Sequence, residues 1–201
     1  MFACIPIAWL CCALSAGAWA EEPEPLLADP ARQAAEHERL AGEMEQLARR
    51  QVWAGLEDKF RELEALGVSL RYDELIHGAH AARAMGDVQT TFERLEAASE
   101  IRRDDELADW MRAIETEYGQ VVLTTSPLRS ALLEAGSLPF APDRRAAVEF
   151  AVGALDDSGS FEGRLPAGEY ELVGTTFTVE PGISLRIEVS TRRQRGRKAD
   201  D

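Results

Sequence analysis

The chain has 201 residues, 45% of them apolar, with 22 Lys and Arg against 36 Asp and Glu. That balance suits one or two compact domains and excludes a disordered or collagen-like chain. A formal net charge of −14 also argues against broad binding of nucleic acid or anionic lipid by the folded part.

The first twenty residues carry no charged side chain and hold all three cysteines, Cys4, Cys11 and Cys12. An apolar run from Ile5 to Leu14 precedes Ala18-Trp19-Ala20 and then Glu21-Glu22-Pro23. This reads as a signal peptide, residues 1–20, cleaved after Ala20. The run is short for a bilayer span. Cys11 follows Leu10 and Cys12 follows Cys11, whereas a lipoprotein signal needs a small residue before its modified cysteine, so no lipid anchor is expected. The mature chain, residues 21–201, would hold no cysteine, which excludes disulfides, thiolate nucleophiles and cysteine-based zinc sites. It also offers no candidate transmembrane helix, and an exported protein of a bacterial periplasm or cell surface is expected.

Residues 21–30 are acidic and proline-rich and read as an extended leader, with the first helix starting near Asp29-Pro30. From there to Tyr118 the chain is rich in Ala, Glu, Leu and Arg with almost no β-branched runs. Helices are expected over 31–48, 52–66, 72–85, 88–101 and 104–118. The breaks fall at Arg49 to Gln51, Gly67 to Arg71, Gly86-Asp87 and Arg102-Arg103.

Apolar residues recur in this region at an offset of 35: Leu40, Leu75 and Trp110; Ala41, Ile76 and Met111; Met44, Ala79 and Ile114. The second helices keep the same phase, with Trp53 matching Val88, Phe60 matching Leu95, Leu63 matching Ala98 and Leu66 matching Ile101. Two helix pairs and a fifth helix would then stack as a solenoid. A plain bundle of similar helices could show the same register by chance; phase kept across both helices of the pair favours the repeat.

On these residues the segment 31–118 resembles the tetratricopeptide repeat. Gly86-Asp87 stands where that family has its inter-helix turn, and Val88, Thr91, Leu95 and Ala98 fill the positions that follow. Trp53, Leu56, Phe60 and Leu63 fill them one unit earlier, where Arg49-Arg50-Gln51 lacks the glycine. The resemblance implies a concave surface for peptides or partner proteins.

At Gly119 the texture changes. Strands are expected at 120–125, 131–134, 160–162, 169–173, 177–179 and 184–190, among turn signals such as Ser126-Pro127, Leu138-Pro139 and Pro181-Gly182. Leu185, Ile187 and Val189 alternate with Arg186 and Glu188, as one buried face requires. Residues 143–156 alternate partly like a strand, but their length and the Ala147, Ala151, Ala154, Leu155 spacing predict a helix. Gly163-Arg164-Leu165-Pro166-Ala167-Gly168-Glu169-Tyr170 resembles the hairpin of PEGA-like and carboxypeptidase-regulatory-like β-sandwich modules. The resemblance implies that Pro166 and Gly168 make the turn, that Tyr170 packs inward, and that the domain serves attachment or spacing. The expected fold class is therefore α+β: helical repeats over 31–118, then a small β-sandwich-like domain with one helix over 119–191.

Residues 192–201 form a basic tail expected to be solvated, with Arg192, Arg193, Arg195, Arg197 and Lys198 against Asp200 and Asp201. The rest of the chain is then at −17. The tail could attach to an anionic envelope polymer.

Chemistry-bearing motifs are sparse. Glu74, His77 and His80 sit at helical spacing, and a Glu-x-x-His segment is one quarter of a carboxylate-bridged di-metal site. A second such segment, a His-Glu-x-x-His motif, a Gly-x-Ser-x-Gly elbow and a phosphate loop are all missing from the sequence. Trp53, Phe60, Trp110 and Tyr118 fall at core spacing, while Tyr72 and Phe92 fall off it and are candidates, with His77 and His80, for a partner-binding surface. The expectation is a non-enzymatic envelope protein without cofactor, binding another envelope protein or peptide through its helices. The alternative is a metal- or small-ligand-binding periplasmic protein centred on Glu74, His77 and His80.

Overall fold

The computed structural model describes residues 30–126, 133–136 and 141–190. The expected signal peptide, nearly all of the leader, the basic tail, the Leu138-Pro139 turn and the start of the strand expected at 131 lie outside the described residues. The architecture is α+β, with five helices followed by strands and a sixth helix.

The helices are α1 (Pro30–Arg49), α2 (Trp53–Ala65), α3 (Tyr72–Met85), α4 (Val88–Ile101) and α5 (Asp105–Glu117). Local chemistry sets their ends. Asp87 caps α4 by accepting from the Thr90 amide at 2.9 Å, and Asp104 caps α5 by accepting from the Glu106 amide at 3.0 Å. Gly86 closes α3 in the left-handed region at φ 88°. Gln51, which stands 35 residues earlier, adopts φ 56°. The first turn thus keeps the backbone shape of the second without its glycine, at a steric cost of about 1–2 kcal/mol.

Burial repeats with the sequence. Leu40 and Leu75, Met44, Ala79 and Ile114, Phe60 and Leu95, Leu63 and Ala98 are all buried in one core. Leu66 is half-buried whereas its match, Ile101, is 54% exposed. Successive helices pack on one another, and α1 also meets α3.

One polar device crosses this core. Arg94 reaches Glu57 at 2.6 and 2.9 Å, donates to the Gly78 carbonyl at 2.7 Å, and lies 3.9 Å above the Phe60 ring. Both side chains are at most 10% exposed, so α2, α3 and α4 are tied by a buried charge pair. Gly78 is required there, because a Cβ would stand 2.5 Å from the Phe60 ring.

The strand half contains β1 (Tyr118–Ser126), β2 (Leu133–Ala135), α6 (Pro142–Ser158), β3 (Ser160–Pro166), β4 (Gly168–Leu172), β5 (Thr175–Val179) and β6 (Ser184–Ser190). The helix expected over 143–156 is α6, one to two residues longer at each end. Two three-stranded sheets form, in orders β3-β1-β6 and β2-β4-β5. Val148, Ala151 and Leu155 of α6 pack with Val121, Leu123, Leu165, Leu172 and Val179 in the second core.

Three differences from the sequence reading are informative. Tyr118, assigned to the last helix, opens β1 and yet is buried in the helical core. Pro166 and Gly168 turn the chain as expected and Tyr170 is buried, but β3 pairs with β1 and β4 with β2 and β5, so the turn is a corner between sheets. The Tyr170 hydroxyl donates to the Pro166 carbonyl at 2.8 Å and holds that corner. The hairpin proper is β4–β5, closed by Val173 and Gly174 at φ 51° and 80°, the two-residue turn that suits strand twist. β6 runs parallel to β1, a crossover that alternation within one strand cannot announce.

The two halves share a packed junction. Gly86 abuts the backbone of α6, where a Cβ would collide with the Ala146 carbonyl. Arg83 pairs with Asp143 at 2.7 Å and Arg144 with Glu117 at 2.9 Å. Among the described residues, no helix is long and apolar enough to cross a membrane.

Candidate functional site

The first helix of each unit, α1, α3 and α5, contributes to one open face. A groove of about 480 Å³ lies between α1 and α3, with Ala41, Gly42 and Ile76 as its apolar strip. A second of about 330 Å³ lies between α3 and α5, lined by Tyr72, Ile76, His80, Leu107 and Trp110. A third of about 290 Å³ continues past His80 and Trp53 to Pro142 at the start of α6. Ala41, Ile76 and Met111, equivalent in the repeat, are all half-buried. The strip is therefore a product of the 35-residue period.

His80 is the hinge of this surface. Its ring lies 4.7 Å from that of Trp110 and 6.4 Å from that of Trp53. Removal of water from around the ring pushes its pKa below the ordinary imidazole value, and Arg83 and His77 push the same way. Arg83 lies 5.4 Å over the Trp110 ring while bonding Asp143. That hydrogen bond holds the Asp143 carboxyl below its usual range, against the opposing effect of burial.

Glu74 faces elsewhere. It accepts from the Arg71 amide at 2.7 Å and the Arg71 guanidinium at 2.6 Å, and His37 Nε2 donates to it at 2.8 Å. Burial alone would raise this carboxyl, and the three hydrogen bonds outweigh it and hold it below the ordinary range. Both oxygens are thus committed to capping α3 and tying it to α1. The trio Glu74, His77 and His80 is split between this latch and the Trp110 stack, and among the described residues no three His, Cys, Asp or Glu side chains converge as metal ligands do.

Tyr72 and Phe92 fare differently from each other. Tyr72 lines the α3/α5 groove, its hydroxyl donating to Asp104 at 3.0 Å and its ring covered by Arg102 at 3.5 Å. Phe92 is half-buried at the junction with the strand half, under the Arg164 guanidinium at 4.2 Å. It belongs to the inter-domain contact and not to the open face. The side chains that sequence reasoning assigned to the core but which line the grooves are Trp53 and Trp110. The signal was present: Trp110 stands where the earlier units carry Leu40 and Leu75, and α5 has no helical partner after it to bury so large a ring.

Acid rims the face. Glu38, Glu45, Asp73 and Glu74 line the first groove and Asp104 and Glu106 the second, against Arg71 alone among arginines and lysines. Another cavity of about 490 Å³ lies against β2, β4 and β5, lined by Glu134, Glu169, Glu171, Thr176 and Thr178. Its acids and hydroxyls are the outward residues of a pleated sheet. Compared with known proteins, the chain matches no family model, no curated protein and no solved structure.

Proposed function

We propose that this chain is a non-enzymatic binding or assembly subunit of a bacterial envelope, exported by residues 1–20, whose helical half takes an extended segment of a partner protein. The observation that carries the reading is the open strip on α1, α3 and α5. Aliphatic and aromatic side chains run along its floor and carboxylates along its rim, the composition of a peptide groove. The repeat supports the same reading, since stacked helix pairs offer extended concave surfaces of this kind. A metal-centred role is the weaker reading, because Glu74 spends both oxygens on Arg71 and His37.

The partner segment should carry basic residues for the rim and planar or aliphatic ones for the floor. The test is a peptide array of varied charge and hydrophobicity, probed with the wild type and with the double variant Ile76→Glu, Trp110→Ala, both first shown folded by circular dichroism. Basic peptides retained by the wild type and lost by the variant are expected. An array bound equally by both proteins, or by neither, would overturn the reading.

A further inference from the structure

We infer that the segment this face receives is the basic C-terminal stretch of a second copy of the chain, Arg192 to Lys198, so that copies join head to tail. The inference rests on the peptide-binding reading and names its occupant.

Charge is the first argument. Of the six carboxylates that line the two grooves between α1, α3 and α5, Glu38 and Glu74 hold Arg71, Glu45 holds Arg49 and Asp104 lies 3.5 Å from Arg102, which leaves Asp73 and Glu106 to meet an incoming cation. Residues 191–201 place five cations against two carboxylates on a chain whose remainder is at −17. The cation type is the second. Where rings are half-open on this molecule, guanidinium groups cover them: Arg102 on Tyr72, Arg164 on Phe92 and Arg83 on Trp110. Four of the five tail cations are arginines, and arginine alone can stack on a ring such as Trp53 while forking to a carboxylate.

Reach decides between the chain's own tail and a neighbour's. Ser190 ends β6 opposite Ser126, the end of β1 away from α5. From Ser126 back to Tyr118 is about 25 Å at strand spacing. Lys198 lies eight residues beyond Ser190, a stretch of about 27 Å fully extended, which only returns it to the level of Tyr118. The rim carboxylates Asp73, Asp104 and Glu106 sit at the starts of α3 and α5, ~20 Å up α5 from Tyr118, and α5 meets the strands little beyond that junction, so it does not fold back along β1 toward Ser190. The hydrogen bond from Tyr72 to Asp104 keeps those two helix starts together at the end remote from the strands. A neighbouring copy meets no such limit. The contact is heterologous, so successive copies add in an open chain.

The test compares the chain from Glu21 with the same chain ending at Ser190, by sedimentation velocity over about two decades of concentration, together with fluorescence titration of the shortened chain by a synthetic peptide of residues 191–201. Trp53 and Trp110 are its only tryptophans. Expected results are concentration-dependent association of the longer chain alone, and a peptide-induced change in fluorescence. Combining Asp73→Asn with Glu106→Gln should weaken peptide binding about threefold to tenfold, as loss of two exposed pairs does, and added salt should weaken it further.

A monomeric longer chain whose shortened form still binds the peptide means docking within one molecule, and overturns the inference. So does a monomeric longer chain retained through its tail on immobilised polyglutamate, which would give the tail an anionic polymer as partner. If array peptides bind the shortened chain but residues 191–201 do not, self-assembly falls and the peptide-binding reading stands. If neither binds, both fall together.

Discussion

The helical half laces its apolar core with ion pairs, whereas the strand half relies on aliphatic packing and backbone shape. Within residues 30–117 the ion pairs are many, from exposed Lys59–Glu62 to buried Arg94–Glu57 and the Glu74 latch on α1. Among the described residues of the strand half ion pairs are sparser, Arg186–Glu188 lying at 4.0 Å, and the core is Val, Leu, Phe, Tyr and Ala around α6. The contrast follows from geometry. Helices that stack as repeats leave long side chains on neighbouring turns within reach of one another, whereas alternating strands send every second residue away from its neighbours. A charged latch inside a core is strong when intact and severe when halved, so the two halves should fail by different mutations.

The largest expected effect breaks the helical half. Arg94→Leu leaves Glu57 buried with only Arg61 at 3.2 Å, and should cost about 3–5 kcal/mol in urea unfolding followed by tryptophan emission. An unchanged midpoint would mean that packing and not charge holds α2, α3 and α4.

Next is the junction. Gly86→Ala places a methyl group against the Ala146 carbonyl at a left-handed φ, and a loss of about 1–3 kcal/mol is expected from crowding alone. Two transitions where the wild type shows one would establish that the halves had uncoupled; a wild-type melt would contradict the close approach.

Smaller and opposite in sign are the two residues forced into left-handed backbone. Val173→Asn makes an Asn-Gly turn at β4–β5, and Gln51→Gly restores the glycine of the second unit; each should stabilise by up to about 1 kcal/mol. Val173→Asn should gain more, since a β-branched side chain suffers most at positive φ. Thermal melts of the two variants rank them.

The smallest effect is acid sensitivity at His80. Its folded pKa is depressed, so below the unfolded value near 6.5 the unfolded chain binds the proton first, and stability falls as pH drops from there. His80→Gln should flatten this slope below about pH 6.5; a slope equal to that of the wild type would place the sensitivity elsewhere. Glu74 acts lower, its stabilisation lost as pH falls through the depressed carboxyl value.

Legibility follows the same division. All five helices were readable within about two residues, because their caps, Asp87 and Asp104, and their period lie close together in sequence. Strand positions were readable too, Ser184–Ser190 to the residue. Pairing was not. That β3 joins β1 and leaves β4 to the other sheet, and that β6 lies parallel to β1, depends on contacts between residues 36 to 64 positions apart. The candidate site was half legible: Tyr72, His77 and His80 do line the grooves. Phe92 lies at the junction under Arg164, and Trp110 was left half-open by the end of the repeat.

The amino-acid order by itself determined the class of the fold, the helix boundaries, the 35-residue period and the surplus of acid, since these depend on propensity, capping and composition. Tertiary structure alone decided which strands are neighbours, that Ala147 of α6 completes the helical core, and that acid and aromatic side chains share one face. Those outcomes depend on which distant surfaces exclude water together, and a linear pattern holds only one side of each such contact.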